Sequence, residues 1–247
     1  KNSIYYLQDA FTPAYTGTSM YGIYIIPGVY GSGYTVDSNY IGGSQALAGG
    51  AYMNIQGAYN GIYGSFGFNS PTSISGNVIK NIRSKYITAN TSTYYSLYCG
   101  GGWMNITGNY IGSADTSQRL EMNCVWRGIQ ASSSFFTGQA TVNCTYNTIN
   151  NVWTRPDSTI AALSGSYNRY GIVAGGYLPV ECSYNTIKNI FSWQSPGATS
   201  YNHWVMGILP NIYSASFIRN NVIDSICNFA TAAPTGTGRI LVYGMQP

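Results

Sequence analysis

Charge is what this chain has least of. Of 247 residues, 11 are Lys or Arg and seven are Asp or Glu, a charged fraction of 7%. Folding must therefore rest on burial and hydrogen bonding, because few ion pairs can form. The formal net charge of +4 is small and scattered, and Lys80, Arg83 and Lys85 make the one tight basic group. That group reads as a solvated loop face, and no basic stripe points to nucleic acid. One histidine is present, His203, in a Tyr-Asn-His-Trp stretch without acid or Cys neighbours. It reads as a surface or packing residue more than as a general base or metal ligand. No apolar run approaches the ~20 residues that cross a bilayer, so the chain is not expected to span a membrane. No GxSxG, phosphate-cradling loop or EF-hand pattern occurs. No stretch keeps a 3.6-residue apolar period over three turns, which argues against helices.

Cysteine is scarce and odd in number. There are five, with no CxxC and no metal-ligand spacing. The chain opens at Lys1 without a charged-then-apolar leader, so any export signal is expected to have been removed or to lie outside this segment. What is abundant is Tyr (24) and Gly (30), beside much Ser, Thr and Asn. That composition suits an extracellular surface better than a cytosolic enzyme, where Lys and Glu usually carry solubility.

The order in the chain is repetition. Asn185-Thr186-Ile187-Lys188-Asn189-Ile190 has close copies from Asn77, Asn147 and Asn221, and shorter ones at Asn39-Tyr40-Ile41 and Asn109-Tyr110-Ile111. The marker residues Asn39, Asn77, Asn109, Asn147, Asn185 and Asn221 step by 38, 32, 38, 38 and 36. A beat in that range is the mark of a repeat architecture. Two residues after each Asn stands an isoleucine: Ile41, Ile79, Ile111, Ile149, Ile187 and Ile223. Three further on stand Ile82, Val152, Ile190 and Ile226, while Ser44 and Ala114 depart; the polar columns between are expected to face solvent. A second marker alternates with the first: Gly-Ile at 22, 61, 128, 171 and 207 and Gly-Met at 244, with Ser96-Leu97 filling the gap. Before the Asn, apolar and polar residues alternate, as in Val142-Asn143-Cys144-Thr145, the pattern of a strand with one buried face. Cys144 and Cys182 share that inward column with Val36, Ile74, Ile106 and Ile218. At strand spacing two such side chains lie ~4.8 Å apart, wider than the ~3.8 Å between Cβ atoms in a disulfide, so free buried thiols are expected.

Each unit thus offers about three short strands that cannot bury their apolar faces alone. Stacking units in register turns every inward column into a continuous row. The marker Asn is expected at a bend, in the left-handed conformation Asn tolerates, with its amide bonded along the ladder. The fold class expected is all-β, a parallel solenoid of about six coils with irregular loops, with residues 1–247 forming one domain.

These Asn-x-Ile-x-Asn-Ile units resemble the coils of right-handed parallel β-helices, the pectin-lyase-like fold, over residues 20–247. The polar, Tyr/Asn/Gly/Ser-rich repeats also resemble those of large secreted surface proteins of Bacteroidota, many of them similar to type IX secretion cargo, adhesins or gliding-motility proteins. The resemblance implies an extracellular or cell-surface location. It implies cell-envelope or secretion-machinery proteins, or surface glycans, as partners. The repeats start and stop without obvious capping units, so a segment of a longer chain is expected.

For catalysis such folds gather acids on one outward face. The acids here are Asp9, Asp37, Asp115, Glu121, Asp157, Glu181 and Asp224, and stacking brings no two of them together; Asp115, Glu121 and Asp157 read as loop acids. A glycoside hydrolase needs two carboxyl groups roughly 5–10 Å apart. No catalytic residue, metal ligand or cofactor site is therefore assigned. The remaining signal is aromatic. Trp103, Trp126, Trp153, Trp193 and Trp204 are placed in or beside loops, and Trp103, Trp153, Trp193 and Trp204 are candidate contact residues for sugars or proteins. The expected function is a non-catalytic surface or adhesion rod. A polysaccharide lyase or hydrolase, or a phage tailspike shaft, is the alternative.

Overall fold

The computed structural model describes residues 2–5, 20–28, 30–55, 59–84, 93–122, 124–133, 140–154, 167–193, 203–212, 216–229 and 240–245. Within them, the side chains of residues 167, 203, 212, 240 and 241 are not described. Asp9, Lys85, Asp157, the stretch Gly236-Thr237-Gly238 (which reads from sequence as a turn) and the side chain of His203 therefore lie outside the description.

Short β-branched segments with one apolar face pair here only with their counterparts one repeat away, and always in parallel. Three sheets result. The first holds seven strands: Met20–Ile25, Tyr59–Phe66, Thr93–Gly101, Val125–Ser133, Tyr167–Gly176, His203–Ile212 and Ile240–Met245. The second holds six: Thr35–Asp37, Thr72–Ser75, Met104–Thr107, Val142–Thr145, Val180–Ser183 and Phe217–Arg219. The third holds ten strands, among them Tyr40–Ile41, Val78–Ile79, Tyr110–Gly112, Thr148–Thr154, Thr186–Trp193 and Val222–Phe229. The chain is a parallel β-solenoid of about five turns, because six strands in the second sheet make five full steps.

Register lays like on like. Ile41, Ile79, Ile111, Ile149, Ile187 and Ile223 are successive pairing partners. The first five are wholly buried and Ile223, in the last coil, partly so. Ile62, Leu97, Ile129, Ile172 and Ile208 form the matching file of the first sheet. Val36, Ile74, Ile106, Cys144, Cys182 and Ile218 form that of the second.

Two apparent departures disappear in this register. The inward position expected at Ser44 and Ala114 is filled by Met53 and Leu120, which pair with Ile82, and Leu120 pairs in turn with Val152. Residues 42–52 and 113–119 are insertions, each containing one 3₁₀ turn (Ala46–Ala48, Thr116–Gln118). Part of the drift in repeat length thus sits inside the third sheet. The insertions are held by the following coil: Asn81 Nδ2 donates to Gly50 O (2.9 Å) and Ala51 O (3.1 Å), and Asn151 Nδ2 to Ser113 O (2.7 Å). Asn81 and Asn151 are consequently buried instead of solvent-facing, while Asn189 and Ser225 in the same column are half-buried and exposed.

The bend between second and third sheets also differs from expectation. The left-handed residue is the one before the marker Asn: Ser38, Gly76, Gly108, Tyr146, Tyr184 and Asn220, all with φ between 54° and 64°. The marker itself is free to serve as an amide. Each Nδ2 from Asn39 to Asn185 donates to the next coil's Oδ1, ending on Asn221, at 2.9–3.0 Å. That oxygen also accepts the backbone N–H of the preceding marker at 2.9–3.1 Å. The second Nδ2 hydrogen goes to Val36, Ile74, Ile106, Cys144 or Cys182 O, each at 2.9 Å. A seventh rung, Asn2-Ser3-Ile4, bonds to Asn39 Oδ1 (3.0 Å) and pairs with Tyr40-Ile41.

Close approach across the prism explains the Gly-Ile marker. A Cβ at Gly171 would lie 2.5 Å from Gly207 O and 2.9 Å from Ile187 Cγ2, and one at Gly128 would lie 2.7 Å from Ile149 Cδ1. The glycine of the first sheet makes room for the isoleucine of the third. Ser96, in the same column, is fully buried and accepts a hydrogen bond from Trp126 Nε1 (3.2 Å).

Two outcomes follow. Asn147→Ala leaves two donors of Asn109 and the Ile106 carbonyl without their partner and takes one of two bonds from the Asn185 oxygen, a loss of about 3 kcal/mol or more at 1 kcal/mol per group. Urea unfolding should show it, and a loss under about 1 kcal/mol would remove the ladder from its role. Gly171→Ala should cost about 1–3 kcal/mol by overpacking. Gly244→Ala, whose Cβ meets only Ile223 Cγ2 at 3.8 Å, should stay within about 0.5 kcal/mol.

Candidate functional site

The described acids are all held by neighbours. Glu121 lies on the strand Leu120–Met122 instead of a loop, bonded to Arg83 Nε (2.5 Å) and to Arg119 Nη2. Those guanidinium groups cover aromatic rings, Arg83 over Tyr52 (4.2 Å) and Arg119 over Trp153 (3.9 Å). Asp37 accepts from Ser38 Oγ and Ser75 Oγ, both 2.9 Å, and these bonds hold its carboxyl below the ordinary range. Asp115 accepts from Ser117 N and Oγ (2.8 Å each), which lowers it likewise. Glu181 accepts from Arg219 Nε (3.2 Å), and Asp224 from Ser225 Oγ (3.1 Å). A glycosidase acid needs a pKa raised towards neutrality. Asp37 and Asp115 are displaced the opposite way. Among the described residues, no group of three or more His, Cys, Asp or Glu is arranged to hold a metal.

The thiols are interior groups. Cys99, Cys124, Cys144 and Cys182 are free and fully buried, and Cys227 is partly buried. Cys144 and Cys182 are pairing partners in the second sheet. Burial pushes the Cys124 thiol up to about 12 and the Cys99 thiol upward too. The neighbouring Cys182 and burial together raise Cys144.

The aromatic residues sit mainly on strands. Trp126 (Val125–Ser133) is wholly buried; Trp153 (Thr148–Thr154), Trp193 (Thr186–Trp193) and Trp204 (His203–Ile212) are half-buried strand residues. Trp103, between strands, packs half-buried against the core. Of the four candidate contact residues, the fold brings two together. Trp153 lies 5.5 Å from Trp193, which stacks on Phe229 at 5.1 Å, while Phe191 meets Trp153 edge-on at 6.0 Å. Trp204, on the first sheet, and Trp103, between the first and second, stand apart from that cluster.

A larger aromatic surface lies on the outward side of the first sheet. Tyr24, Tyr63 and Tyr98 stack at 5.6 and 4.3 Å, with Tyr21 set 4.5 Å from Tyr24 and Tyr95 edge-on to Tyr98 at 5.1 Å. Arg127 continues it, its guanidinium 5.5 Å from the Tyr95 ring and 5.7 Å from that of Tyr170, with Nη1 donating to Gln130 Oε1 (2.7 Å). Burial and the adjacent Tyr98 push the Tyr63 hydroxyl up to about 12, so it stays neutral at physiological pH. Tyr24 is 54% exposed. Because the rings stack along the solenoid axis, the row offers edges and hydroxyl tips at coil spacing. Sequence reasoning passed over these residues. Their signal was the Tyr immediately after three successive inward residues, Ile23, Ile62 and Leu97.

Comparison with family models, with curated proteins and with solved structures finds no match to this chain. The chain is, in architecture, an all-β parallel β-solenoid.

The thiols set a pH dependence. A buried thiol whose folded pKa is raised keeps its proton while the unfolded chain releases it. Its stabilising effect is therefore complete below about pH 8.5 and is lost as pH rises towards the folded value. For Cys124 that window reaches up to about 12. The unfolding free energy from urea titrations should fall between pH 8 and 10, by up to roughly 1.4 kcal/mol per pH unit per thiol, and the midpoint with it. A flat midpoint over that range would contradict burial of these groups.

Proposed function

We propose that this chain is a non-catalytic rod within an extracellular surface or adhesion protein, and that outward aromatic residues make its contacts. The observation that carries the reading is the tyrosine row Tyr24-Tyr63-Tyr98, held on a strand ladder that fixes ring spacing at 4.3–5.6 Å. Tyrosine supplies apolar area and a hydrogen-bonding tip at small entropic cost, the properties favoured at recognition surfaces. Mounting the rings on strands removes most of the ordering cost a loop would carry on binding. Placement of such a rod among the secreted cell-surface proteins of Bacteroidota, as type IX secretion cargo or a gliding-associated adhesin on a pectin-lyase-like scaffold, rests on the Tyr/Asn/Gly/Ser-rich composition and the Asn-x-Ile repeats. The partners in this reading are cell-envelope or secretion-machinery proteins, or surface glycans.

The test has two arms. Incubation with acidic and neutral polysaccharides should leave their chain length unchanged; shortened products would turn the reading into a lyase or hydrolase. Binding to immobilised cell-envelope fractions should weaken roughly tenfold in a Tyr63→Ala/Tyr98→Ala double variant, the effect of removing about 1.4 kcal/mol of contact. Unchanged binding would take the first-sheet face out of the mechanism.

A further inference from the structure

The left-handed corner residue before each marker Asn reads Ser38, Gly76, Gly108, Tyr146, Tyr184 and Asn220 along the solenoid. Glycine and asparagine suit such a φ. A bulky aromatic does not, and left-handed backbone costs an L-residue roughly 1–2 kcal/mol. Tyr146 (φ 57°) and Tyr184 (φ 57°) carry that strain in adjacent coils. Their rings stack in parallel, centroids 5.0 Å apart and 6° between planes. One ring pair is worth about 0.5–1.5 kcal/mol, less than the strain of two such residues. Nor is the pair part of the core, being 61% and 47% exposed. Strain retained on an exposed surface, where glycine serves in the adjacent coil, points to use by a ligand.

The neighbourhood shows what kind. On the open side of Tyr146 the next corner is Gly108, where an added Cβ would meet no atom within 4 Å. Beyond it, the Gly76 corner is closed by Asp37 Oδ1 and Ser38 Oγ, 3.2 and 3.5 Å from the Cβ it lacks. The notch between the Tyr146 ring and that closed corner spans two strand spacings, ~9.6 Å, which leaves room for one ring stacked as Tyr184 stacks. The second-sheet flank presents uncharged polar groups. Thr145 Oγ1 lies 3.4 Å from Thr107 Oγ1, and Asn143 Nδ2 donates to Asn105 Oδ1 at 2.8 Å. The third-sheet flank presents Tyr110, half-buried, two residues after Gly108.

We infer that Tyr146 and the vacant corner at Gly108 form a binding site for a neutral pyranose, its apolar face on the Tyr146 ring and its hydroxyls towards the Thr107/Thr145 and Asn105/Asn143 rows. A partner protein's aromatic side chain would fit the ring but would leave these polar groups facing an apolar surface. The inference rests on the adhesion reading in taking a glycan as the partner, and uses a surface separate from the first-sheet tyrosines.

The experiment is saturation-transfer NMR of the full chain with methyl hexopyranosides of glucose, galactose, mannose and N-acetylglucosamine. At least one should receive transfer on its apolar face. Tyr146→Gly should weaken that binding roughly tenfold while thermal stability holds or rises, because the strain is relieved. Gly108→Tyr adds an aromatic yet should abolish binding, since its ring occupies the ligand's place. Binding that survives both substitutions overturns the site while leaving the adhesion rod intact. Transfer to none of the sugars overturns the site too, and the rod reading is then decided by its own binding arm. A marked fall in stability of Tyr146→Gly, with Gly108→Tyr still binding, makes the tyrosine pair structural and overturns the proposal.

Discussion

Everything in this solenoid depends on the two-residue corner between the second and third sheets. The turn is too tight for its backbone to be solvated, so the N–H of the marker Asn is buried and needs an acceptor. The same side chain one coil further on supplies it. Asparagine fits: at Asn147, Oδ1 accepts twice, Nδ2 donates twice, and all four contacts are made at about 3 Å. Aspartate has no donor and would bury charge, and serine lacks the second donor. The ladder also fixes register, since a slip of one residue would break the amide bonds and turn every inward isoleucine outward.

Once register is fixed, the narrow cross-section dictates the rest. Ile187 reaches across the prism to within contact of the Gly171 backbone, and the same relation recurs between Ile149 and Gly128 and between Ile223 and Gly207. A side chain at the glycine and an isoleucine opposite cannot coexist in most coils. At Ser96 the hydroxyl is tolerated because the Trp126 indole meets it with a hydrogen bond. The buried cysteines belong to the same logic. They are small apolar fillers of a column otherwise held by Val and Ile, and their burial keeps them protonated.

Much of the fold was legible because repetition is a long-range signal: six copies of Asn-x-Ile specify register as a single copy never would. What stayed hidden was local. Met53 and Leu120 occupy inward positions that counting from the Asn assigns to Ser44 and Ala114, because insertions are invisible until the coils are laid side by side. Asn2 was a rung without upstream copies to set its phase. The left-handed residue was misplaced by one, since Asn tolerates that conformation and its second use, as a ladder amide, takes precedence here. Trp126 and Trp153 read as loop residues because their flanks lack clean alternation; pairing shows them on strands. For the contact surfaces, the tyrosines after Ile23, Ile62 and Leu97 were in view, but their stacking across coils only follows from register.

A structure built this way divides its residues sharply. Inward columns repeat because each must match the coils above and below, so a change in one coil is felt in both neighbours. Such columns are poor places to evolve recognition. Outward columns escape that constraint, and there the repeat is broken most freely: tyrosine gives way to glutamine along the first sheet, and serine, glycine, tyrosine and asparagine share one corner. The described carboxylates are drawn into bonds with Ser or Arg neighbours, which leaves aromatic rings as the principal unspent chemistry among the described outward residues. Uniform spacing then becomes an asset, because rings mounted on adjacent strands hold fixed distances without any ordering on contact. Stiffness inside and variety outside are thus consequences of the same amide ladder.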